Sequence, residues 1–160
     1  MHVASYTDEK EVDPTKASTF VDAQNLTLLN LSKDLAADIS VGLVKESLYI
    51  GKGASLTMDK SVISGFNPAV ILDRGIKVNY DNLQHIKFSK MYFNNCNGNI
   101  FTEGVSNNED LENWYGNSSF FNVYSKGSDI ETFIDPNNMK DPDFRLRINK
   151  IIAINNPDRE

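Results

Sequence analysis

Leu56 and Met58 alternate with Thr57 and Asp59 before Lys60, and Ile86 and Phe88 alternate with Lys87 and Ser89 before Lys90. Alternation of this kind is the period of a strand with one buried face. Each stretch runs into a short apolar pair, Val62-Ile63 and Tyr92-Phe93, which is closed by Gly65 and Asn67-Pro68 or by Asn94-Asn95. The pattern predicts strand, turn, strand. The whole block from Leu56 to Phe66 returns as Ile86 to Cys96, a spacing of 30 residues, with apolar residues at matching places.

Further matches extend the register. Val70-Ile71-Leu72-Asp73-Arg74-Gly75 aligns with Asn99-Ile100-Phe101-Thr102-Glu103-Gly104 at an offset of 29, and Ile130 lies 30 beyond Ile100. Upstream, Leu26-Thr27-Leu28 precedes Leu56-Thr57-Met58 by 30, and downstream Phe120-Phe121-Asn122 follows Tyr92-Phe93-Asn94 by 28. A recurring period of this size is the sequence form of a solenoid, because units that cannot bury a face alone must stack. The fold class expected is all-β, a short solenoid of about three to four coils of ~30 residues each. A β-sandwich is the alternative, since short strands with turns every eight to twelve residues or so fit it too.

Helical spacing occurs once, at Leu28, Leu31, Leu35, Ala36 and Ile39, interrupted by Asn30, Ser32 and Asp34. It predicts a helix or a lateral loop near 28 to 38 and no more. Asparagine fills nineteen positions, several in pairs, and its tolerance of left-handed backbone predicts many tight corners. Three regions follow: a polar N-terminal segment over 1–20, a repeat domain over 21–134, and a closing segment and tail over 135–160. Both chain ends are polar and are expected to be loose.

At 160 residues, with 40% hydrophobic and 24% charged residues, the chain can bury a core as one domain. Its net charge of −6 and pI near 4.9 disfavour polyanionic partners, and no Lys/Arg cluster interleaved with aromatics offers a nucleic-acid track. Apolar runs such as Ala69 to Leu72 and Ile151 to Ile154 are far short of the roughly twenty residues of a membrane span, so no insertion is expected. No export signal opens the sequence, because Met1-His2-Val3-Ala4-Ser5-Tyr6 leads straight into charge.

Candidate chemistry is sparse. Cys96, the only cysteine, matches Phe66 in the repeat and reads as a buried hydrophobe; His85 reads as a turn residue. Neither supports a nucleophilic triad, so no catalytic residue and no cofactor are assigned. Oxygen ligands at Asp135, Asn137, Asp141 and Asp143 alternate as calcium ligands do. However, Lys140 stands where a calcium loop needs glycine and Leu146 where it needs glutamate, so a proline-fixed turn is favoured. Asn113, Trp114 and Tyr115 lie in a polar stretch from Val105 to Ser119, where an exposed aromatic pair would stack on a sugar ring. The competing reading is that Trp114 pins its own loop to the core.

The stretch Ser47 to Phe66, then Ala69-Val70-Ile71-Leu72-Asp73, resembles coils of large right-handed parallel β-helix proteins exported by Bacteroidota. Ser118-Ser119-Phe120-Phe121, Phe133-Ile134-Asp135-Pro136 and Pro142-Asp143-Phe144-Arg145-Leu146-Arg147 are similar to the way such proteins close their last coils. The resemblance covers about residues 40 to 148 and implies a right-handed parallel β-helix at the cell surface or secreted, as a fragment of, or a shortened relative of, an exported protein.

Two functional classes are consistent with these readings. One is a non-catalytic surface scaffold, adhesin-like, binding a glycan or a protein through loops such as Val105 to Ser119. The other is a carbohydrate-active enzyme working from Asp73, Arg74, Lys77 and Asp81, whose stacked positions would be Thr102 and Glu103 in place of Asp73 and Arg74. An uncapped solenoid end also exposes strand edges. The charged N-terminal stretch, the helix predicted near 28 to 38 and the segment after Phe133 are the candidate caps. If the upstream cap is missing, end-to-end self-association is expected, and a strictly monomeric light-scattering profile at high concentration would count against it.

Overall fold

The computed structural model of the chain describes residues 1–4, 19–31, 37, 40–41, 46–96, 100–103, 106–107, 109–147 and 149–151. Strands dominate. After β1 (His2–Val3) come β2 (Thr19–Gln24), β3 (Thr27–Leu29) and β4 (Leu48–Ile50), then β5 (Ala54–Asp59), β6 (Val62–Ser64) and β7 (Val70–Leu72). The short helix α1 (Tyr80–Leu83) precedes β8 (Ile86–Ser89), β9 (Tyr92–Asn94), β10 (Phe101–Glu103) and β11 (Ser106–Asn107). Helix α2 (Glu109–Tyr115), β12 (Val123–Ser125), α3 (Asp129–Thr132), β13 (Phe133–Asp135) and β14 (Asp143–Leu146) follow.

Eight of the ten strand pairings among the described residues are parallel. With the antiparallel pair β10–β11 they build three sheets with the orders β2-β5-β8, β3-β6-β9-β12 and β1-β4-β7-β10-β11. The chain visits the three in the same rotation from β1 to β10, after which β11 stays in the third sheet and β12 joins the second with no further strand beside β8. An antiparallel sandwich would pair neighbours in sequence; here β5 joins β8 and β6 joins β9. The fold is therefore all-β in character with parallel sheets.

The central repeat has the spacing the pattern predicts, with Leu56 beside Ile86 and Val62 beside Tyr92. Three extensions are corrected. Val70 pairs with Phe101, an offset of 31 in place of 29, so Thr102 lies beside Ile71 and Glu103 beside Leu72. A slip of two leaves every side chain on its own face, which is why the apolar pattern cannot detect it. Upstream, Val21 lies beside Leu56 and Leu28 beside Ile63, an offset of 35 in place of 30, because the link from β3 to β4 is long. Downstream, Val123 rather than Phe120 lies beside Tyr92, an offset of 31 in place of 28, and Ile130 is exposed on α3.

The predicted helix near 28 to 38 gives way at its start, where Thr27–Leu29 is strand; residues 32–36 and 38 lie outside the described residues. Nor is the chain loose at its first residues. His2–Val3 extends a sheet beside Tyr49 and Ile50, and the Met1 ammonium donates to the Ser47 carbonyl at 2.6 Å.

Inward positions from all three sheets meet in one core: Leu48, Ile50, Leu56, Met58, Ile63, Val70, Leu72, Ile86 and Phe88 are buried within a single cluster. Phe88, Phe93 and Phe101, one from each sheet, pack with ring centroids 5.3 to 6.1 Å apart. The strands β6 and β9 are buried on both faces. Their second face carries Val62 and Tyr92, covered together with Val123 by Phe133 and Leu146 of the antiparallel pair β13–β14. Among the described residues no helix is long and apolar enough to cross a membrane.

Corners are made by left-handed backbone. Asn25, Lys60 and Lys90 leave β2, β5 and β8 with φ of 54°, 48° and 50°, and each amide donates to a carbonyl of the following layer: Asp59, Ser89 and Phe120. Gly65 turns the chain out of β6 with φ of 81°, and an added Cβ there would stand 2.4 Å from the Asn30 carbonyl oxygen. Gly65→Ala is thus expected to cost about 3 kcal/mol, from left-handed strain plus a backbone clash. Denaturant unfolding measures this; a variant as stable as the parent would mean that the backbone at Asn30, just after β3, yields freely.

Candidate functional site

The outward face of β8 forms the floor of a cleft lined by three aromatic rings, a cavity of about 420 Å³. Lys87 and Ser89 point out of the sheet because Ile86 and Phe88 point in. One wall is α1 with the turn after it, contributing Tyr80 and Gln84; the other is Trp114 of α2 with Phe120. Thr57, beside Lys87 on the neighbouring strand, extends the floor.

Local sequence explains both walls. Asn79 caps α1, its side chain accepting from the Asn82 amide at 3.0 Å and from the Asn82 side chain at 2.9 Å. Buried Asn82 in turn accepts from the Lys77 amide at 3.2 Å. Tyr80, the first helical residue, is left 69% exposed over the cleft. Helix α2 opens with Glu109 and Asp110, whose charges suit the positive end of its dipole. Leu111 and Tyr115, four apart, both turn into the core.

Tyr115 is fully buried, its ring stacked on Phe101 at 4.9 Å and edge-on to Phe88 at 5.0 Å. Its hydroxyl donates to the Ile86 carbonyl at 2.8 Å, and burial pushes its pKa up, so it remains a neutral donor. Asn122 completes the same edge: its amide donates to the Phe88 carbonyl at 3.0 Å and to the Tyr115 carbonyl at 2.8 Å, and it accepts from the Met91 amide at 2.9 Å. Side chains thus take the carbonyls that β8, the last strand of its sheet, would otherwise leave open.

The expectation of an exposed Trp114-Tyr115 pair is corrected, since Tyr115 cannot meet a ligand. Trp114 packs partly against the core and still lines the cleft, so pinning the helix and presenting an aromatic surface occur together. Asn113 is exposed on α2 but does not line the cleft. Tyr80, Gln84, Lys87, Ser89 and Phe120 were not singled out from sequence. Lys87 was legible as the polar residue between Ile86 and Phe88; Tyr80 lies on a four-residue helix too short to leave a periodic signal.

The remaining candidates are occupied otherwise. Asp73 accepts from the Tyr49 hydroxyl and the Gly75 amide, both at 2.9 Å, closing a turn, while Arg74, Lys77 and Asp81 are exposed. Cys96 is buried and its thiol is pushed up to about 12 by burial, which backbone hydrogen bonds only partly oppose; it packs as an inert hydrophobe. His85 is half-buried in the turn before β8.

Around β13–β14, Asn138 organises the turn by donating to Asp135 at 3.3 Å and accepting from the amides of Lys140 and Asp141 at 3.1 Å. Asp135 and Asp143 are strand partners, Asn137 and Asp141 are exposed, and Arg145 Nε donates to both Asp143 oxygens at 2.9 and 3.1 Å. Among the described residues no three His, Cys, Asp or Glu side chains are grouped to hold a metal.

The bonds from Arg145 hold the Asp143 carboxyl down to about 2, below the ordinary 3.8. A depressed carboxylate contributes stability that is present above the unfolded pKa and is lost as pH falls through the folded one. The Asp143 carboxyl resonance is expected to titrate near 2 and to return toward 3.8 in Arg145→Met. An unshifted parent midpoint would break the pairing.

Comparison of the chain with protein-family models, with curated proteins and with solved structures finds no match, so the cleft is read from its own side chains.

Proposed function

We propose that this chain is a right-handed parallel β-helix whose role is non-catalytic: a cell-surface or secreted scaffold, adhesin-like, that binds a glycan in the cleft beside β8. The solenoid reading is supported by three sheets visited in one rotation from β1 to β10, with pairing 30 residues apart at the centre. Right-handedness follows the general rule for parallel crossovers. The location rests on the sequence resemblance alone.

The observation that carries the binding role is the cleft: the rings of Tyr80, Trp114 and Phe120 surround a floor of hydroxyl, amide and ammonium groups. Sugar rings offer apolar C–H faces rimmed by hydroxyls, which that mixture matches. Against enzyme chemistry stands Asp73, the strongest carboxylate candidate, already engaged by two donors.

Titration against an oligosaccharide array tests the role. Trp114→Ala should weaken binding by up to about tenfold, since aromatic contacts of this kind contribute on the order of 0.5–1.5 kcal/mol. Tyr115→Phe should leave affinity unchanged while costing about 1 kcal/mol of stability, the expected loss when the Ile86 carbonyl has no donor. An array on which neither polysaccharide nor oligosaccharide binds the parent would sink the glycan reading.

A further inference from the structure

We infer that the cleft selects an anionic sugar, with the Lys87 ammonium reading a carboxylate or sulfate on the ring held by Trp114 and Tyr80; this rests on the glycan-binding reading above. The protein as a whole carries a net charge of −6, yet among the described residues no Asp or Glu lines this cleft and the one charged lining residue is Lys87. Lys87 is exposed, and no carboxylate lies within ion-pair distance of it among the described residues.

The acids nearest on the same sheet are accounted for. Asp59 lies one strand away and its Oδ1 accepts from the Ser89 hydroxyl at 2.8 Å. Asp22 lies beside Thr57, which in turn lies beside Lys87, so the backbones of Asp22 and Lys87 stand two strand spacings of about 4.8 Å apart. Among the described residues of this sheet, the nearest carboxylate is thus engaged by Ser89 rather than by Lys87, whose ammonium is left for an incoming anion.

Geometry favours a charge on a ring rather than on a chain end. Lys87 rises from the floor between the aromatic walls, so an acidic group on a stacked sugar meets the ammonium while its ring faces the aromatics. The partner chemistry is thus an oligosaccharide with acidic residues. A neutral glycan would leave the ammonium uncompensated and gain only the stacking.

The test uses the full chain and calorimetric titration with alginate, polygalacturonate and chondroitin tetrasaccharides, each beside its carboxyl-reduced form. At least one acidic form should bind about tenfold more tightly than its reduced counterpart, the value of one charge-assisted contact. That preference should shrink in Lys87→Met, persist in Lys87→Arg, and fall with added salt in the parent protein. Equal affinity for acidic and reduced forms, or an unchanged preference in Lys87→Met, would overturn the inference while leaving glycan binding intact. Binding of neither form, with Trp114→Ala indistinguishable from the parent, overturns both.

Discussion

Parallel pairing between strands that are not neighbours in sequence is the constraint on which the rest of the architecture depends. A parallel partner cannot be reached through a tight hairpin, so after β5 the chain must travel elsewhere before β8 can lie alongside it. It does so through the other two sheets, and each pass up to β10 adds one strand to each, whereas the last adds β12 and nothing beyond β8. Inward side chains on successive passes stack on like neighbours, Leu56 on Ile86 and Met58 on Phe88, so the core grows by layers. The same demand shapes the corners. Leaving a strand without losing register needs left-handed backbone, supplied at equivalent places by Asn25, Lys60 and Lys90.

A stacked architecture transfers its problem to its ends. At β8 the solution is chemical as well as steric: Tyr115 and Asn122 take the edge carbonyls of Ile86 and Phe88, and Leu111 and Tyr115 cover the last aromatic layer. The helix that closes this end also fixes Trp114 against the outward face of β8. Cap and cleft are therefore one construction, and the rigidity the cap requires is what a stacking surface for a ligand requires too. At the opposite side, β2 pairs with β5 along one edge, and its Phe20 is 72% exposed.

Legibility in the sequence followed the same physics. The repeat from Leu56 to Cys96 was readable because both passes keep one length and one alternation. The match of Val70 to Asn99 was two residues off, a slip that leaves no trace in a two-residue period. The upstream match failed because the long link from β3 to β4 changes the length of that pass, and length is carried by links whose composition does not encode it. At the candidate site, Trp114 was legible as a large aromatic in a polar stretch. Lys87 was legible as an outward residue of its strand, but its meeting with Trp114, Tyr80 and Phe120 was not, because these are brought together only when two helices and a strand are packed, and no local spacing records that.

The second buried face of β6 and β9 shows a different balance from the main core. Asn94 is fully buried and its amide donates to the Ser64 hydroxyl at 3.1 Å and to the Gly127 carbonyl at 2.9 Å, joining β9 to β6 and to the chain after β12. Its Oδ1 and the Tyr92 hydroxyl nevertheless have no hydrogen-bond partner among the described residues, and each orphaned group of this kind costs on the order of 1–3 kcal/mol. The cover over this face, β13–β14, is held by the small apolar cluster around Phe133 and Leu146, and by Arg147 donating to the Ile130 carbonyl at 2.8 Å. Loosening that cover would hydrate the two orphaned groups while costing only the small cluster. The main core has no such compensation: the rings of Phe88, Phe93 and Phe101 would gain nothing from water. The C-terminal strand pair is therefore the element expected to open first, and the stacked sheets with the cleft on their outward face are the part that stays.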